Sequence, residues 1–316
     1  MKHILFSISV LLIFLTGCRN RSGVKAGEII IFHAGSLSVP LKQISDEYEK
    51  RNPGIKILME SAGSLVCARK ITELKKPCDI IASADYFVID QLIVPEYADW
   101  SIRFATNEIV IAYQQKARHS EEINSQNWMD ILLRDDVTYT RSDPDTDPCG
   151  YRSVLMFKLA EQFYSRPGLA EQLQSKDLSF IRPKEVDLIA LIESNAADYM
   201  FQYKSVAIQH NMKYVELPDE INLGNPGMND FYNNASLDVT GSKPGSKMKV
   251  TGEYINYSLS ILRDAPAADQ AIDFVAFLIS PEGMEIFRKC GQDPIVPFTS
   301  EQPDLIPERL MKYLRE

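Results

Sequence analysis

One short segment, "DTDPCGYRS" from Asp145 to Ser153, combines carboxylates, a cysteine and an arginine just before a helical pattern. Residues of these types could bind a metal ion, form a cysteine nucleophile or hold an anion. Asp147 also suits a helix N-cap and Pro148 a first helical residue, so the segment could simply start a helix. A second segment, "RPKEVD", has the same form, with Glu185 placed favourably for a first helical turn. The residues alone leave these possibilities open.

Turns rich in glycine and serine follow three predicted strands early in the chain. In open α/β sheets, ligands bind beyond the carboxyl ends of the strands, where helix N-termini present free backbone N–H groups. Hydroxyls at this edge suit an oxyanion, although Gly and Ser also cap helices in most proteins. Three such turns in succession favour an oxyanion site. Their residues are Gly35, Ser36 and Ser38 in "HAGSLS", Ser61, Gly63 and Ser64 in "ESAGSL", and Ser83 in "ASAD".

The cysteines and histidines lack the spacing of a transition-metal site. No Cys-x-x-Cys pair occurs, and the four histidines are scattered. An enzyme is an alternative in which Cys149 is the nucleophile, activated by the following helix and by His33 or His210. The sequence places no base beside this cysteine, so we favour a binding protein. The pairing of the cysteines after Cys18 stays open; they are Cys67, Cys78, Cys149 and Cys290.

The first eighteen residues, "MKHILFSISVLLIFLTGC", are typical of a secretory signal. A basic start at Lys2 precedes an apolar run from Ile4 to Leu15, which is shorter than the roughly 20 residues of a bilayer-spanning helix. The ending "LTGC" resembles the lipobox of bacterial lipoproteins, in which cleavage frees the cysteine for lipid attachment. We predict a signal peptide over residues 1–17, lipidation of Cys18 and a polar tether over residues 18–27. The folded body would be exported and lipid-anchored at the cell membrane, facing the periplasm or the cell exterior.

The charge of the chain argues against one class of partner. It has 34 Lys and Arg against 43 Asp and Glu, a net charge of −9, and no basic run that could follow a phosphate backbone. We therefore expect no nucleic acid partner. The acidic balance does not exclude an anionic ligand, because a buried site depends on its local dipoles rather than on net charge.

Apolar runs alternate with helical patterns, which predicts an α/β fold. Three β-then-α units, starting at "EIIIFHAG", "IKILMESAG" and "CDIIASAD", indicate a parallel sheet with helices on both faces. A second α/β series follows "SIRFATNEIVIAYQ", and the late strand "EYINYSLSIL" with two helices is expected to return to the first lobe. Two lobes joined by two crossing segments would form a hinge and a cleft. We set lobe 1 at residues 28–107 plus 264–316, lobe 2 at residues 108–263, and an exposed loop from Asn222 to Gly252.

Several long motifs in a fixed order resemble one protein family. They are "FHAGSLSVPL", "SAGSLVCARKITEL", "CDIIASADY", "DPCGYRS", "RPKEVDLIALIES", "YKSVAIQHNMKYVELPDEINLG" and "GQDPIVP". Together they resemble the molybdate- and tungstate-binding components of ABC importers, in the WtpA branch related to ModA, over nearly the whole mature chain. The resemblance implies a two-lobed, type II periplasmic-binding-protein fold with the ligand between the lobes. It also implies a monomer, an ABC permease with its ATPase as partner, and no cofactor besides the transported anion.

The same resemblance implies a set of ligand-binding residues. Asp147 and Glu185 would bond to the metal of the anion, since molybdenum(VI) and tungsten(VI) accept two oxygen ligands beyond their four oxo groups. This bonding would offset a repulsion of about 4 kcal/mol between like charges about 4 Å apart. The chain departs from the family pattern in a shorter segment before "RPKE" and in Gln202, where a Glu commonly precedes the tyrosine. The implied residues are Gly35, Ser36, Ser64, Asp147, Pro148, Cys149, Glu185 and Tyr203.

Other ligands of the same fold stay open at this point. Sulfate and phosphate centres cannot take two extra oxygen ligands and would meet only the repulsion, but a protein for one of these anions is the nearest alternative. The preference between tungstate and molybdate cannot be read from the residues.

Overall fold

The fold is described by a computed structural model that covers residues 27–241 and 245–314. The predicted signal peptide, Cys18 and nearly all of the predicted tether lie outside these residues. Within the described ranges, no helix has the length and apolar character needed to cross a bilayer.

Strands and helices alternate along the described chain, as the sequence predicts. The strands are β1 (Glu28–Ala34), β2 (Lys56–Ala62), β3 (Ile80–Ser83), β4 (Ile102–Asn107), β5 (Ile109–Tyr113), β6 (Tyr139–Thr140), β7 (Tyr199–Tyr203), β8 (Lys213–Glu216), β9 (Ser236–Thr240), β10 (Lys247–Thr251), β11 (Ile255–Ile261) and β12 (Asp293–Thr299). The helices are α1 (Ser38–Arg51), α2 (Ser64–Thr72), α3 (Tyr86–Leu92), α4 (Trp128–Leu132), α5 (Pro148–Phe163), α6 (Leu169–Ser175), α7 (Glu185–Glu193), α8 (Lys204–Gln209), α9 (Asp219–Asn222), α10 (Asn229–Tyr232), α11 (Ala268–Leu278), α12 (Pro281–Lys289) and α13 (Glu308–Met311).

In the described part of the chain, the strands form a six-stranded sheet, a four-stranded sheet and a hairpin. The six-stranded sheet has the order β12-β4-β11-β3-β1-β2, and β1 is parallel to β2 and β3, as the βα units predict. It is a mixed sheet, because β11 runs antiparallel to β3 and β4, and β12 antiparallel to β4. The four-stranded sheet has the order β6-β7-β5-β8. Every residue of β3, β5, β7 and β11 is buried, as expected for strands covered on both faces.

The chain passes between the two larger sheets twice. It leaves the six-stranded sheet after Asn107, the last residue of β4, and enters the four-stranded sheet at Ile109. It returns at β11, which pairs with β3 and β4. The assignment of residues 108–263 to lobe 2 therefore needs correction at its C-terminal end, because the seven buried residues of β11 belong to the first sheet. The other lobe limits stay a prediction.

The segment from Asn222 to Gly252 is not simply an exposed loop, contrary to the prediction. It contains α10 and the antiparallel hairpin of β9 and β10, in which Ser236 pairs with Thr251 and Thr240 with Lys247. Part of its Gly- and Pro-rich sequence lies between Thr240 and Lys247, and residues 242–244 there are outside the described ranges. Val239 and Val250 are buried in the core, and the burial of these two apolar side chains explains why the hairpin packs against the rest of the protein.

Candidate functional site

The predicted residues of the first sheet lie where its strands end. Gly35 and Ser36 follow β1 directly in a short 3-10 helix. Ser64 is the first residue of α2, immediately after β2 and the N-cap Gly63. β1 and β2 are parallel neighbours, so these two turns lie side by side at one edge of the sheet. Ser36 and Ser64 are both buried.

The predicted residues around the second sheet begin helices or end a strand. Asp147 is the N-cap of α5 and accepts a hydrogen bond from the backbone N–H of Cys149 at 2.9 Å, with Pro148 as first helical residue. Glu185 is the first residue of α7, and Tyr203 is the last residue of β7. The helix-start interpretation of "DPC" is therefore confirmed, and it holds the Asp147 carboxylate in place.

Two glycines bring these two groups of residues together. A Cβ atom on Gly35 would lie 2.9 Å from Cβ and 3.2 Å from Oε2 of Glu185. A Cβ atom on Gly63 would lie 2.2 Å from the carbonyl oxygen of Thr146 and 3.2 Å from Cβ of Asp147. Glycine is needed at both positions because any side chain would separate the first-sheet turns from the carboxylates.

The two carboxylates are buried with little compensating charge. Asp147 is 6% exposed and Glu185 8%. Burial raises the pKa of Asp147 to about 6, although the Cys149 N–H works against this rise. Burial, and then the charge of Asp147, raises the pKa of Glu185 to about 8. Among the described residues, no Lys or Arg forms an ion pair with either carboxylate. The pair would be stabilised by protons or by a positively charged centre placed beside it.

Three buried hydroxyls around the carboxylates already accept a hydrogen bond from the protein. A hydroxyl carries one proton and donates once. In the described residues no protein acceptor receives the protons of these three groups, so each is available to a ligand. The three pairs are Ala84 N–H to Ser64 Oγ at 3.1 Å, Tyr257 O–H to Ser36 Oγ at 2.9 Å, and Arg152 Nη1–H to Tyr203 Oη at 3.3 Å.

A buried arginine, which the sequence patterns did not single out, joins α5 to the turn after β3. The Arg152 guanidinium lies 2.9 Å from Oδ2 of Asp85 and donates to the carbonyl of Ala84 at 2.8 Å. The Tyr151 hydroxyl donates to the same Asp85 oxygen at 2.5 Å. Both partners belong to predicted motifs, "DPCGYRS" and "CDIIASADY". Each motif contains one of the charged residues, Arg152 or Asp85, and this was the available sequence signal. Nothing in the spacing of the motifs indicated that these two residues form an ion pair.

A second arginine contact joins helix α2 to the loop before α5 and to the end of strand β9 in the hairpin. Arg69 of α2 donates to the carbonyl oxygens of Asp145 and Thr240, both at 3.1 Å. The Asp145 carboxylate in turn accepts from the backbone N–H of Thr240 at 2.6 Å. Helix α2 therefore carries Ser64 at its first residue and a contact to the Asp147 loop near its last turn.

Cys149 does not have the environment of a nucleophile. Its thiol is buried and donates to Oε1 of Gln202 at 3.1 Å. Burial, followed by the charges of Asp147 and Glu185, raises its pKa well above the ordinary value. Among the described residues, no histidine nitrogen forms a hydrogen bond with this sulfur. The question of disulfide pairing is answered for the four described cysteines, which are all free thiols.

The remaining hydroxyls of the predicted turns are used locally. Ser38 and Ser61 contact each other at 3.3 Å between their Oγ atoms, on the exposed side. Ser83 donates to the carbonyl of Asp85 at 2.6 Å. Ser83 therefore braces the turn before α3, whose N-cap is Asp85 rather than a serine, whereas Ser36 and Ser64 are left with an unused proton.

Gly63→Ala should destabilise the close contact between the turn after β2 and the Thr146–Asp147 loop, because the new Cβ atom would overlap the Thr146 carbonyl oxygen. We expect the free energy of unfolding in urea to fall by about 1–3 kcal/mol. Ser61→Ala, two residues earlier on an exposed face, is the control and should change it by less than about 0.5 kcal/mol. Equal stability of the two variants would contradict the close approach.

The buried carboxylates should make the ligand-free protein less stable as pH rises. A raised pKa means that the folded state binds more protons than the unfolded chain, from about pH 4.5 to about pH 8 for Glu185. Stability is therefore lost across this window and levels off above it. Thermal unfolding at pH 5 to 9 should show a smaller decline for Glu185→Gln than for the wild type. Glu193→Gln, at the exposed end of the same helix, should follow the wild type; parallel curves for all three proteins would contradict the assignment.

Solved structures with the same architecture are binding proteins. The sulfate-binding protein SubI of Mycobacterium tuberculosis superposes with a TM-score of 0.62 at 13% identity, covering 85% of this chain and 87% of that one. The periplasmic molybdate-binding protein of Azotobacter vinelandii superposes with a TM-score of 0.59 at 15% identity, covering 84% and 98%. At these identities the likeness concerns the fold alone, and it confirms the predicted type II periplasmic-binding-protein fold.

Sequence comparison assigns the family. The molybdate/tungstate-binding protein WtpA of Pyrococcus abyssi is 43% identical over 312 residues, which cover 90% of this chain and 89% of that protein. The family model described as bacterial extracellular solute-binding protein matches residues 29–292. The resemblance read from the motifs is therefore confirmed, and the chain belongs to the family of bacterial extracellular solute-binding proteins.

Proposed function

We propose that this protein is the extracytoplasmic component of an ABC importer and that it captures tungstate and molybdate. Its similarity to WtpA, whose name states these ligands, supports the proposal. The structure contributes a chemical reason that does not depend on any relative. Three donor hydroxyls and two carboxylates without a counterion surround the point where the two sheets meet.

The observation that carries the proposal is that the site offers two kinds of group to a ligand: hydroxyls that donate hydrogen bonds and carboxylates that lack a counterion. At neutral pH a tetraoxoanion such as tungstate presents only acceptor oxygens at its surface. The free protons of Ser36, Ser64 and Tyr203 match these oxygens, and a charge-assisted hydrogen bond of this kind is about twice as strong as a neutral one. The donors alone would serve any oxyanion.

The carboxylates provide the selectivity. Asp147 and Glu185 would bond to the molybdenum or tungsten centre as fifth and sixth oxygen ligands, which sulfur and phosphorus do not accept. Sulfate would therefore meet two buried carboxylates with no bond to offset the repulsion. Gly35, Pro148 and Cys149 would line the site through their backbone and their small size.

A protonated oxyanion is the rival ligand. The same carboxylates could accept hydrogen bonds from the O–H groups of hydrogen phosphate or of an organic phosphate. This ligand would use the carboxylates as acceptors rather than as metal ligands. Calorimetry distinguishes the two chemistries.

The location and assembly follow from the same proposal. The loaded protein would deliver its anion to an ABC permease with its ATPase, and it would act as a monomer. Cleavage after residue 17 and lipidation of Cys18 would hold it at the membrane through the tether 18–27. An enzymatic activity is not proposed, since the Cys149 thiol lacks an activating base in the described residues.

Titration calorimetry of the mature, unlipidated protein, stripped of bound anion, tests the ligand. Tungstate and molybdate should bind one-to-one, with sulfate and phosphate at least about 1,000-fold weaker, which corresponds to roughly 4 kcal/mol. Asp147→Ala and Glu185→Ala should each weaken tungstate binding by more than about 100-fold, because one metal ligand is lost. Glu193→Gln, on the exposed end of α7, should bind like the wild type.

Two outcomes would contradict this proposal. Tight binding of sulfate or phosphate with no binding of tungstate would keep the fold and remove the coordination chemistry. Undiminished tungstate binding by both carboxylate variants would show that these residues do not reach the metal.

Coordination by Glu185 should release a proton. The buried carboxyl with a raised pKa is largely protonated at pH 6.5 before binding, and only its ionised form can bond to a metal. The apparent enthalpy of tungstate binding at pH 6.5 should therefore change with the ionisation enthalpy of the buffer, by close to one proton per site. Glu185→Gln should lose most of this dependence. A ligand that only accepts a hydrogen bond from protonated Glu185 would release none, and that result would contradict a bond between Glu185 and the metal.

A further inference from the structure

A chain of hydrogen bonds runs from the first crossing between the sheets to the Ser36 hydroxyl. Asn107, the last residue of β4, donates through Nδ2 to Oη of Tyr257 at 3.1 Å. Tyr257, on β11, donates to Oγ of Ser36 at 2.9 Å. All three side chains are buried, and Tyr257 is completely inaccessible to solvent.

The direction of this chain is fixed at its first member. Oδ1 of Asn107 accepts from the backbone N–H of Glu108 at 3.0 Å and from that of Ser205 at 3.4 Å. A backbone N–H can only donate, so the amide oxygen must face these groups and the NH₂ group must face Tyr257. Nδ2 also donates to Oγ of Ser205 at 2.7 Å, which uses its second proton.

The fixed amide determines the role of each hydroxyl that follows. Tyr257 Oη accepts a hydrogen bond from Asn107 Nδ2, so its own O–H must donate to a different group. Ser36 Oγ is its nearest acceptor in the described residues. Ser36, having accepted from Tyr257, then directs its proton away from the tyrosine. Without this chain, a serine hydroxyl could either donate or accept, and it would suit a ligand O–H as well as a ligand oxygen.

We propose that Asn107 and Tyr257 are positioning residues that make Ser36 an obligatory hydrogen-bond donor and so select anions without a proton at that point. The inference rests on the proposed oxyanion function and adds the residues that set its selectivity. Neither residue needs to touch the ligand. Asn107 is also the residue before Glu108, which connects the two sheets, so the direction of the Ser36 proton depends on a side chain held at the crossing.

Asn107→Asp tests the direction, because a carboxylate of the same shape can only accept. The Tyr257 proton would turn to the new carboxylate, and Ser36 would donate to Tyr257 and present lone pairs to the ligand. We expect tungstate affinity, measured by calorimetry at pH 8, to fall by about 10- to 100-fold. Repulsion by the added charge could weaken binding as well, so the variant is also made in the Tyr257→Phe background, where the side chain at position 107 no longer reaches Ser36.

The two backgrounds distinguish the effect of the hydrogen-bond chain Asn107–Tyr257–Ser36, here called the relay, from charge repulsion. If the relay operates, Asn107→Asp should cost less than about threefold in affinity once Tyr257 is replaced by Phe. An equal loss in both backgrounds, with normal tungstate binding by the wild type, would overturn the relay and leave the proposed function standing. A wild-type protein that binds no tungstate would overturn both.

Tyr257→Phe alone is a second and conservative test, which does not depend on the folding of the Asn107→Asp variant. It should weaken tungstate binding by about three- to tenfold, because Ser36 keeps its proton but loses the bond that orients it. Tyr164→Phe is the matched control, because it also removes one tyrosine hydroxyl, which donates to the carbonyl of Ser125 at 2.9 Å and takes no part in the relay. The control should bind within about twofold of the wild type. Equal affinities of the two Tyr→Phe variants would contradict the relay.

Discussion

The burial of two carboxylates side by side is the constraint on which the rest of the structure depends. Asp147 and Glu185 begin two different helices, and both lie under turns of the opposite sheet. If both carboxylates are ionised and have no partner, their repulsion disfavours the close approach of the two sheets' turns. If they are protonated or bonded to a cationic centre, this approach is permitted. Closure and ligand chemistry are therefore linked through the charge state of this pair.

The two sheets contribute different chemistry to the site. The first sheet supplies Ser36 and Ser64 from turns that follow parallel strands, and these groups donate hydrogen bonds. The carboxylates come from the second sheet's helices, together with the Tyr203 hydroxyl. An anion bound between them would accept hydrogen bonds from both sides and would form metal–oxygen bonds with the second sheet's side alone. The donors alone would hold any oxyanion, and the two carboxylates would add the discrimination between tungstate and sulfate.

Local sequence patterns predicted the parts of the site that depend on neighbouring residues. Strand-then-turn spacing indicated Gly35, Ser36 and Ser64, and helix-start chemistry predicted the local structure at Asp147 and Glu185, whose ligand role was implied only by the family resemblance. The links between distant residues were not predictable, because Asn107 and Tyr257 are 150 positions apart and Tyr257 and Ser36 are 221 apart. Composition was a poor guide to the segment after Asn222, because it contains the paired strands β9 and β10, each of which buries a valine. The return of β11 to the first sheet appeared in the strand pattern but not in the lobe limits drawn from it.

The contact made by Arg69 has an evolutionary consequence. Its guanidinium donates to the main-chain oxygens of Asp145 and Thr240, and every amino acid carries such an oxygen. Substitutions at residue 240 would leave this acceptor present, provided that the backbone keeps its path. A family of such proteins could therefore diverge in the side chains at these positions while one arginine continued to join helix α2 to the loop before α5 and to the hairpin.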